Sequence, residues 1–426
     1  MDRYLIKYLK DTADNALMEK YLDYFKVTLD QFIYDYGDHV YSTHQKIQFL
    51  KIFSGLKRSI NVLFGSIKQY SDKQNVLSSV SSLANNNILF NLGFNPISSI
   101  LEPVGNSQIL GNSDIINLIK NKRKYLFNGT FNNIFNQFFF AKWEEIKTKI
   151  VKDYQNYDFR ALFLNTDENF ESKYLIEIFR ILDRPSMIFS HGLPGIYSAE
   201  IDNRSDFLMV WGDKIKQNYI NVGFNSDKIF VVGNPKYQSY TKERVLKNTI
   251  EHILVVPPAS FLFHQHTFGE PILMDRSMGI LYLYKVQKVL ENLGITHARF
   301  RPHPSIAKEW IYGFLDQKFY KMDEDKLKDS CLKSTLIIGA TSTVFLEALM
   351  FGVNYIVFEP KFRDGKNILR CDLVPPFDCS EANLEIATSE EELEYLIRNK
   401  YLVDIKILDE YMKPLDLSIL KKIIKC

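Results

Sequence analysis

The sequence predicts an α/β protein made of two doubly wound, Rossmann-like domains that face a cleft, with a helical N-terminal extension. Two observations lead to this prediction. Short apolar runs of strand type alternate with helical segments over residues 159–235, and a second series of the same kind covers residues 253–360. The polar and charged residues 236–250 between them are typical of a linker, and 426 residues are too many for one ordinary domain.

The composition excludes several classes of protein. With 46% hydrophobic and 24% charged residues the chain is predicted to be soluble and globular, and a net charge of +2 does not indicate a nucleic-acid partner. No signal peptide opens the sequence, and no run approaches the roughly 18 apolar residues of a membrane span. Four cysteines show neither metal-ligand pairing nor a disulfide framework: Cys331, Cys371, Cys379 and Cys426. We therefore expect a cytoplasmic protein.

The N-terminal part is interpreted from residue spacing. Tyrosine, leucine and phenylalanine recur at helical spacing in residues 1–70, which predicts the helical extension. Short strands and loops are predicted over residues 75–145, and a helix is predicted from Lys142 to Tyr154. Residues 71–236 together form the first predicted Rossmann-like domain, which would bind the acceptor.

The first alternating series is regular. Its predicted strands are Arg160–Leu164, Ser186–Phe189, Phe207–Trp211 and Lys228–Val232, and its predicted helices are Phe170–Leu182 and Lys214–Val222. Ligands of doubly wound sheets bind beyond the carboxyl ends of the strands. Asp167, Glu168 and His191 fall at such ends.

The second series forms the predicted donor domain, residues 237–400, and a helical segment follows over residues 401–426. Its predicted strands are Ile253–Pro258, His297–Arg301, Leu336–Ile338 and Tyr355–Phe358. Its predicted helices are Ser277–Leu293, Val344–Phe351, Ser389–Asn399 and Leu415–Lys425.

The loop after Leu336–Ile338 is the principal candidate for binding an anion. It turns at Gly339 and presents the hydroxyls of Thr341, Ser342 and Thr343 before the helix that starts at Val344. A helix N-terminus has free N–H groups and a partial positive charge, so hydroxyls placed there suit phosphate. Other strand-end loops would complete the site with Arg301, His303 and Ser260. The alternative is that Ser342 or Thr343 only caps the helix.

A general base is expected from the first domain. His191 has a suitable ordinary pKa, and Asp167 or Glu168 could act instead of it or orient it. The alternatives are that His191 is a turn residue and that the two carboxylates cap the helix that starts at Phe170.

Several other signatures are missing from the sequence. Phosphate-binding loops of the Gly-x-x-x-x-Gly-Lys type, Gly-x-Gly-x-x-Gly after a strand and Gly-x-Ser-x-Gly are absent. His264-x-His266 has no third metal ligand at motif spacing. No Asp-x-Asp strand end is present, so we expect no metal site, no cofactor and a metal-independent mechanism.

These residues resemble those of GT-B-type glycosyltransferases that build bacterial surface polysaccharides from CMP- or CDP-activated donors. The group includes capsule Kdo transferases, bacterial sialyltransferases and polysialyltransferases, and teichoic-acid glycerophosphotransferases. The shared motifs are His303-Pro304, Thr341-Ser342-Thr343, His191-Gly192 and Gly233-Asn234-Pro235. The resemblance covers roughly residues 158–360.

The resemblance implies roles for individual residues. His303, Pro304 and the three hydroxyl residues would hold the donor phosphate, and Glu347 would bind the donor ribose or sugar. An alternative for Glu347 is a carboxylate on the helix face. Many sialyltransferases carry two acidic residues followed by glycine, whereas Asn169 follows Asp167-Glu168 here, so the identity of the base stays open.

The expected function is transfer of a sialic-acid- or Kdo-like sugar from a CMP-sugar to a glycan or lipid-linked glycan of a capsule or lipopolysaccharide. Alternatives are a CDP-glycerol or CDP-ribitol polyol-phosphate transferase, a UDP-sugar 2-epimerase-like enzyme and a non-catalytic nucleotide-sugar-binding protein. Peripheral association with the inner face of the plasma membrane is conceivable through Leu415–Lys425. The alternative for that helix is packing against the fold.

Overall fold

The computed structural model describes most of the chain from residue 137 onwards and three short segments before it. The described residues are 16–24, 87–90, 106–109, 137–156, 159–167, 170–190, 192–199, 204–234, 245–258, 264–265, 271–272, 277–302, 311–361, 365 and 373–425. The chain divides into two compact units. The first contains residues 1–189, 200–209 and 417–426, and the second contains residues 190–199 and 210–416.

The N-terminal sheet has six strands in the order β2-β1-β3-β4-β5-β6. Its strands are β1 (Asn87–Phe90), β2 (Asn106–Ile109), β3 (Phe159–Leu164), β4 (Ser186–Phe189), β5 (Phe207–Val210) and β6 (Ile229–Val231). The pairs for which the register is known are parallel. β4 is buried along its whole length, as expected for the uninterrupted apolar runs of parallel sheets.

Helices surround this part of the chain. They are α1 (Gln137–Gln155), α2 (Phe170–Ile181) and α3 (Asp213–Asn221), and residues 16–24 are also helical. Trp143 of α1 packs edge-to-face on Phe170 of α2, with ring centroids 4.5 Å apart. Aromatic pairs in this arrangement add stability beyond the area that they bury.

The C-terminal sheet also has six strands, in the order β11-β10-β7-β12-β13-β14. They are β7 (Ile253–Val256), β10 (Ala298–Phe300), β11 (Tyr320–Met322), β12 (Leu336–Gly339), β13 (Asn354–Phe358) and β14 (Ile386–Ala387), and all of their pairs are parallel. If the six strands are numbered 1 to 6 in chain order, their order across the sheet is 3-2-1-4-5-6. The direction of this order reverses between strands 1 and 4, which are β7 and β12. In such sheets the ligand crevice lies beyond the carboxyl ends of the strands at that point.

The second unit contains the remaining strands and most of the remaining helices. β8 (His264–Gln265) and β9 (Pro271–Ile272) pair antiparallel. The helices are α4 (Ser277–Asn292), α5 (Leu327–Leu332), α6 (Val344–Met350), α7 (Glu390–Arg398) and α8 (Lys406–Tyr411). α6 follows β12 directly, so it starts at the point where the strand order reverses.

The predicted α/β class with two doubly wound parallel sheets is confirmed. Several details differ from the sequence-based expectation. α1 begins at Gln137 instead of Lys142, so the aromatic residues before Lys142 extend the helix. Lys247, predicted to lie in the linker, forms a parallel bridge with Val353. β8 and β9 form a small antiparallel pair between the predicted strand Ile253–Pro258 and the predicted helix Ser277–Leu293.

The last helix, α9 (Ser418–Lys425), packs against the fold through its apolar face. Leu420 and Ile424 are buried, whereas Lys421 and Lys422 are exposed. This arrangement is the alternative that the sequence left open for the segment. Among the described residues, no helix has both the length and the apolar character that crossing a membrane requires.

Candidate functional site

The main chain of the loop between β12 and α6 is bound by two side chains: Tyr355 of the neighbouring strand β13, and Glu359, the residue that follows β13. The Tyr355 hydroxyl donates to the Ala340 carbonyl over 2.6 Å, and the buried Glu359 carboxylate accepts the Thr341 N–H at 2.6 Å. Gly339 permits the first contact, because a Cβ there would overlap the Tyr355 hydroxyl. Neither Tyr355 nor Glu359 was among the predicted site residues. A charged residue at the carboxyl end of a buried strand was the signal for Glu359.

The hydroxyls of this loop have separate partners. Ser342 Oγ accepts the Val344 N–H at 3.2 Å. This hydroxyl therefore binds the first turn of α6, in agreement with the alternative that Ser342 caps the helix. Thr343 Oγ1 instead accepts the N–H of Leu193 at 2.9 Å, although 150 residues separate the two in sequence. The structure thus brings the segment after His191 to the start of α6.

Gly192 is required for this contact. A Cβ at this position would overlap Thr343 Oγ1 and lie 3.4 Å from Thr343 Cβ. Ser190 Oγ donates to the Gly192 carbonyl over 2.7 Å. The glycine of the His191-Gly192 pair therefore has a steric role in the structure.

The Arg301 side chain is bound to protein groups at the carboxyl end of β10. Its Nη1 donates to the Asp325 carbonyl over 2.5 Å and to Ser330 Oγ over 3.2 Å. The buried Asp323 carboxylate lies 3.9 Å from the same nitrogen and 3.4 Å from Arg299 Nη1. Arg301 is thus at a strand end, as predicted, and its role towards a donor stays a prediction.

Glu347 lies in α6 and is buried, with 4% of its surface exposed. Burial, followed by the negative charge of Glu347, raises the pKa of the buried Cys331 thiol to about 12. Cys331 belongs to α5, so Glu347 is close to that helix. Its role towards a ribose or sugar stays a prediction.

In the first unit, Asp167 belongs to a cluster of charged residues beyond the carboxyl end of β3. Its Oδ2 accepts the Arg204 N–H at 3.3 Å, and 1% of its surface is exposed. The buried Lys173 ammonium donates to the Asp23 carbonyl over 2.8 Å, and the Arg204 guanidinium lies 3.6 Å from the Asp23 carboxylate. Burial first, and then repulsion by Arg204, lowers the pKa of Lys173 to about 8, while Asp23 and Asp167 oppose this shift.

We expect Lys173 to make stability depend on pH. Its pKa is about 8 in the folded protein and about 10.4 in an unfolded chain. Between these values the unfolded chain binds more protons, so the free energy of unfolding rises with pH. The Tm of wild type should therefore rise relative to the Tm of Lys173→Met from about pH 8 to pH 10. The exposed Lys152→Met serves as control, and parallel Tm curves for wild type and Lys173→Met would contradict the expectation.

The other predicted site residues lie outside the described residues: Glu168, His191, Ser260, His303 and Pro304. His266 of the His264-x-His266 pair also lies outside them. Within the described ranges no group of three or more His, Cys, Asp or Glu side chains could hold a metal ion. The structure therefore brings Gly192 and Leu193 to the loop before α6, and the place of His191 itself stays a prediction.

No protein-family model and no curated protein match the chain. Among solved structures, the UDP-GlcNAc 2-epimerase of Methanocaldococcus jannaschii in complex with UDP-GlcNAc and UDP is 15% identical, with a TM-score of 0.47 over 80% of this chain and 99% of that one. The UDP-GlcNAc-bound 2-epimerase of Neisseria meningitidis is 11% identical, with a TM-score of 0.44 over 80% and 98% of the two chains. A lipopolysaccharide outer-core galactosyltransferase is 12% identical, with a TM-score of 0.41 over 80% and 98%. These similarities carry no conclusion about activity, and the fold class rests on the two parallel sheets themselves.

Proposed function

We propose that the protein is a nucleotide-sugar-dependent glycosyltransferase whose donor binds at the carboxyl end of the second sheet. The hydrogen bond from Leu193 N–H to Thr343 Oγ1 carries this proposal. It joins two segments that the sequence selected independently, one for acid–base chemistry and one for phosphate. A site for group transfer needs both functions within reach of one substrate.

The position of the loop supports the donor assignment. The strand order reverses between β7 and β12, and the loop follows β12 directly. Within the part of the chain that the structure describes, the main-chain N–H groups of Ser342 and Thr343 have no hydrogen-bond acceptor. We propose that these two donors bind the oxygens of the donor phosphate.

The proposed reaction is a displacement at the anomeric carbon. His191 takes the proton of the acceptor hydroxyl, and the acceptor oxygen forms a bond to the anomeric carbon. The bond between that carbon and the phosphate oxygen breaks, and its electron pair leaves with the nucleotide. The N–H groups of Ser342 and Thr343, with Arg301 and His303, would stabilise the charge that develops on the phosphate.

Asp167 is less suited to act as the base. Its carboxylate accepts the Arg204 N–H, and Lys173 and Arg204 supply positive charge around it. With 1% of its surface exposed, this carboxylate is also not accessible to an acceptor hydroxyl, which a general base must reach within hydrogen-bond distance. We therefore assign the base to His191 and a structural role to Asp167.

We propose a CMP-linked donor and no metal requirement, on the resemblance of the His303-Pro304 and Thr341-Ser342-Thr343 motifs. On the same resemblance, the acceptor is a glycan or lipid-linked glycan of a bacterial surface polysaccharide, reached at the inner face of the plasma membrane. A CDP-polyol transferase would use the same loop for its donor phosphate. A 2-epimerase-like enzyme would form product from a UDP-sugar without an acceptor.

The first experiment is a thermal-shift series with CMP, CDP, UDP and GDP, each with Mg²⁺ and with a chelator. A ligand that binds only the folded protein raises its Tm. At a hundredfold excess over Kd, such a ligand increases the free energy of unfolding by about 2.7 kcal/mol. We expect CMP to raise Tm in both conditions and to lose this effect in His303→Ala. Stabilisation by CDP alone would favour the polyol transferase, and stabilisation by UDP alone would favour a UDP-sugar enzyme. A protein that none of the four nucleotides stabilises would contradict the proposal.

A further inference from the structure

Thr343 does not serve its own helix. It is the residue before α6, yet its side chain makes no capping bond, and Ser342 Oγ accepts the Val344 N–H instead. A threonine before a helix would ordinarily use its hydroxyl on the first turn. Here Thr343 Oγ1 accepts the N–H of Leu193, which lies 150 residues earlier in the sequence.

The geometry of Gly192 is an independent sign that this contact is specific. The Gly192 Cα approaches Thr343 so closely that any Cβ would overlap Oγ1, and it would also lie 3.6 Å from Cγ2. No positive φ is involved at Gly192, so the requirement for glycine comes from the approach to Thr343 alone. Glycine at this position and threonine at position 343 are therefore complementary.

The 190–199 segment is held at a second point, farther along the chain. The Tyr197 hydroxyl donates to the Pro375 carbonyl over 3.4 Å, and the Tyr197 ring packs edge-to-face on Tyr219 with centroids 5.0 Å apart. At the other end of the segment, the Ser190 hydroxyl donates to the Gly192 carbonyl. Ser190, Leu193 and Tyr197 thus each have a hydrogen-bond partner, and the one at Leu193 is Thr343.

We propose that Thr343 is a positioning residue whose hydroxyl oxygen holds the segment that follows His191, so that the start of α6 and the proposed base keep one fixed arrangement. This role replaces the donor-binding role that the sequence predicts for the Thr343 oxygen. The catalytic consequence rests on the proposed function, whereas the anchoring role does not.

The anchoring role is tested by hydrogen exchange of the Leu193 amide in the full-length protein. Thr343→Val keeps the shape of the side chain and removes the acceptor, and Thr343→Ser keeps the acceptor. We expect exchange at Leu193 to accelerate about fivefold in Thr343→Val and to stay at the wild-type rate in Thr343→Ser. Thr335→Val is the matched control, because Thr335 Oγ1 accepts the His252 N–H at 3.0 Å at the opposite end of β12. Unchanged exchange at Leu193 in Thr343→Val would overturn the proposal.

The catalytic consequence is tested by separating kcat from nucleotide affinity. A positioning role predicts that Thr343→Val lowers kcat about 10- to 100-fold, leaves the Kd of CMP near the wild-type value and is rescued by Thr343→Ser. A loss confined to the Kd of CMP would overturn the proposal and return Thr343 to donor binding. If no nucleotide binds to wild type, the proposed function fails, and the exchange rate of Leu193 still decides the anchoring role.

Discussion

Replacing Gly339 with alanine should destabilise the protein strongly and disorder the loop before α6. The new Cβ would overlap the Tyr355 hydroxyl and lie 2.6 Å from Tyr355 Cζ and 3.1 Å from the Val256 carbonyl oxygen. The Tyr355 ring is fully buried and packs at 90° on Phe345, so it has little room to move. Overpacking a core costs about 1–3 kcal/mol. Loss of the buried bond to the Ala340 carbonyl costs about 1–3 kcal/mol more.

The measurement is the change in Tm, and two further variants identify its cause. Gly195→Ala makes the same substitution where a Cβ meets nothing within 4 Å, so its Tm should stay near that of wild type. Tyr355→Phe removes only the hydroxyl and should cost about 1 kcal/mol. Because both substitutions act on one contact, Gly339→Ala with Tyr355→Phe should cost less than the sum of the single changes. A Gly339→Ala protein as stable as Gly195→Ala would show that the loop accommodates the methyl group.

The sequence predicted the interior of both sheets well. β4 has the predicted bounds, Ser186–Phe189, and all four of its residues are buried. A strand covered on both faces is a continuous apolar run, which is visible without any knowledge of its neighbours. β11 and β14 were not predicted, and they are the two edge strands of the second sheet, with three and two residues. Strands this short have no periodicity that a sequence can show.

The contacts that shape the candidate site could not be predicted from the sequence. The sequence selected His191-Gly192 and Thr341-Ser342-Thr343 as strand-end segments, but it did not indicate that Leu193 would reach Thr343. That contact depends on the close approach of Gly192, which is a property of the folded chain. Likewise, the ion-pair cluster of Asp167 depends on Asp23 and Arg204, which lie far from it in sequence. Local pattern locates a strand end, and tertiary packing decides which side chains remain available there.

Replacing His191 with asparagine should produce the largest loss of activity in the protein. A general base contributes about 10²–10⁴-fold to the rate, and asparagine cannot take up the proton at neutral pH. We expect kcat to fall by that factor at saturating donor and acceptor, with the Kd of the nucleotide and the Tm near their wild-type values. The exposed His297, which precedes β10 at the amino end of that strand, provides the control His297→Asn.

Asp167→Asn should show the opposite pattern and so tests Asp167 as an alternative to His191 for the role of base. This substitution removes a negative charge that balances Lys173 and Arg204, and buried ion pairs that lose one partner are destabilised by about 3–5 kcal/mol. The Asp23 carboxylate still lies 3.6 Å from both the Lys173 ammonium and the Arg204 guanidinium, and Arg204 is partly exposed. We therefore expect the destabilisation to fall at the lower end of that range or below it. The Tm of Asp167→Asn should fall while the pH profile of kcat keeps its wild-type shape. A stable Asp167→Asn protein with a loss of kcat equal to that of His191→Asn would contradict the structural role and place Asp167 in the reaction, as the base itself or as the group that orients His191.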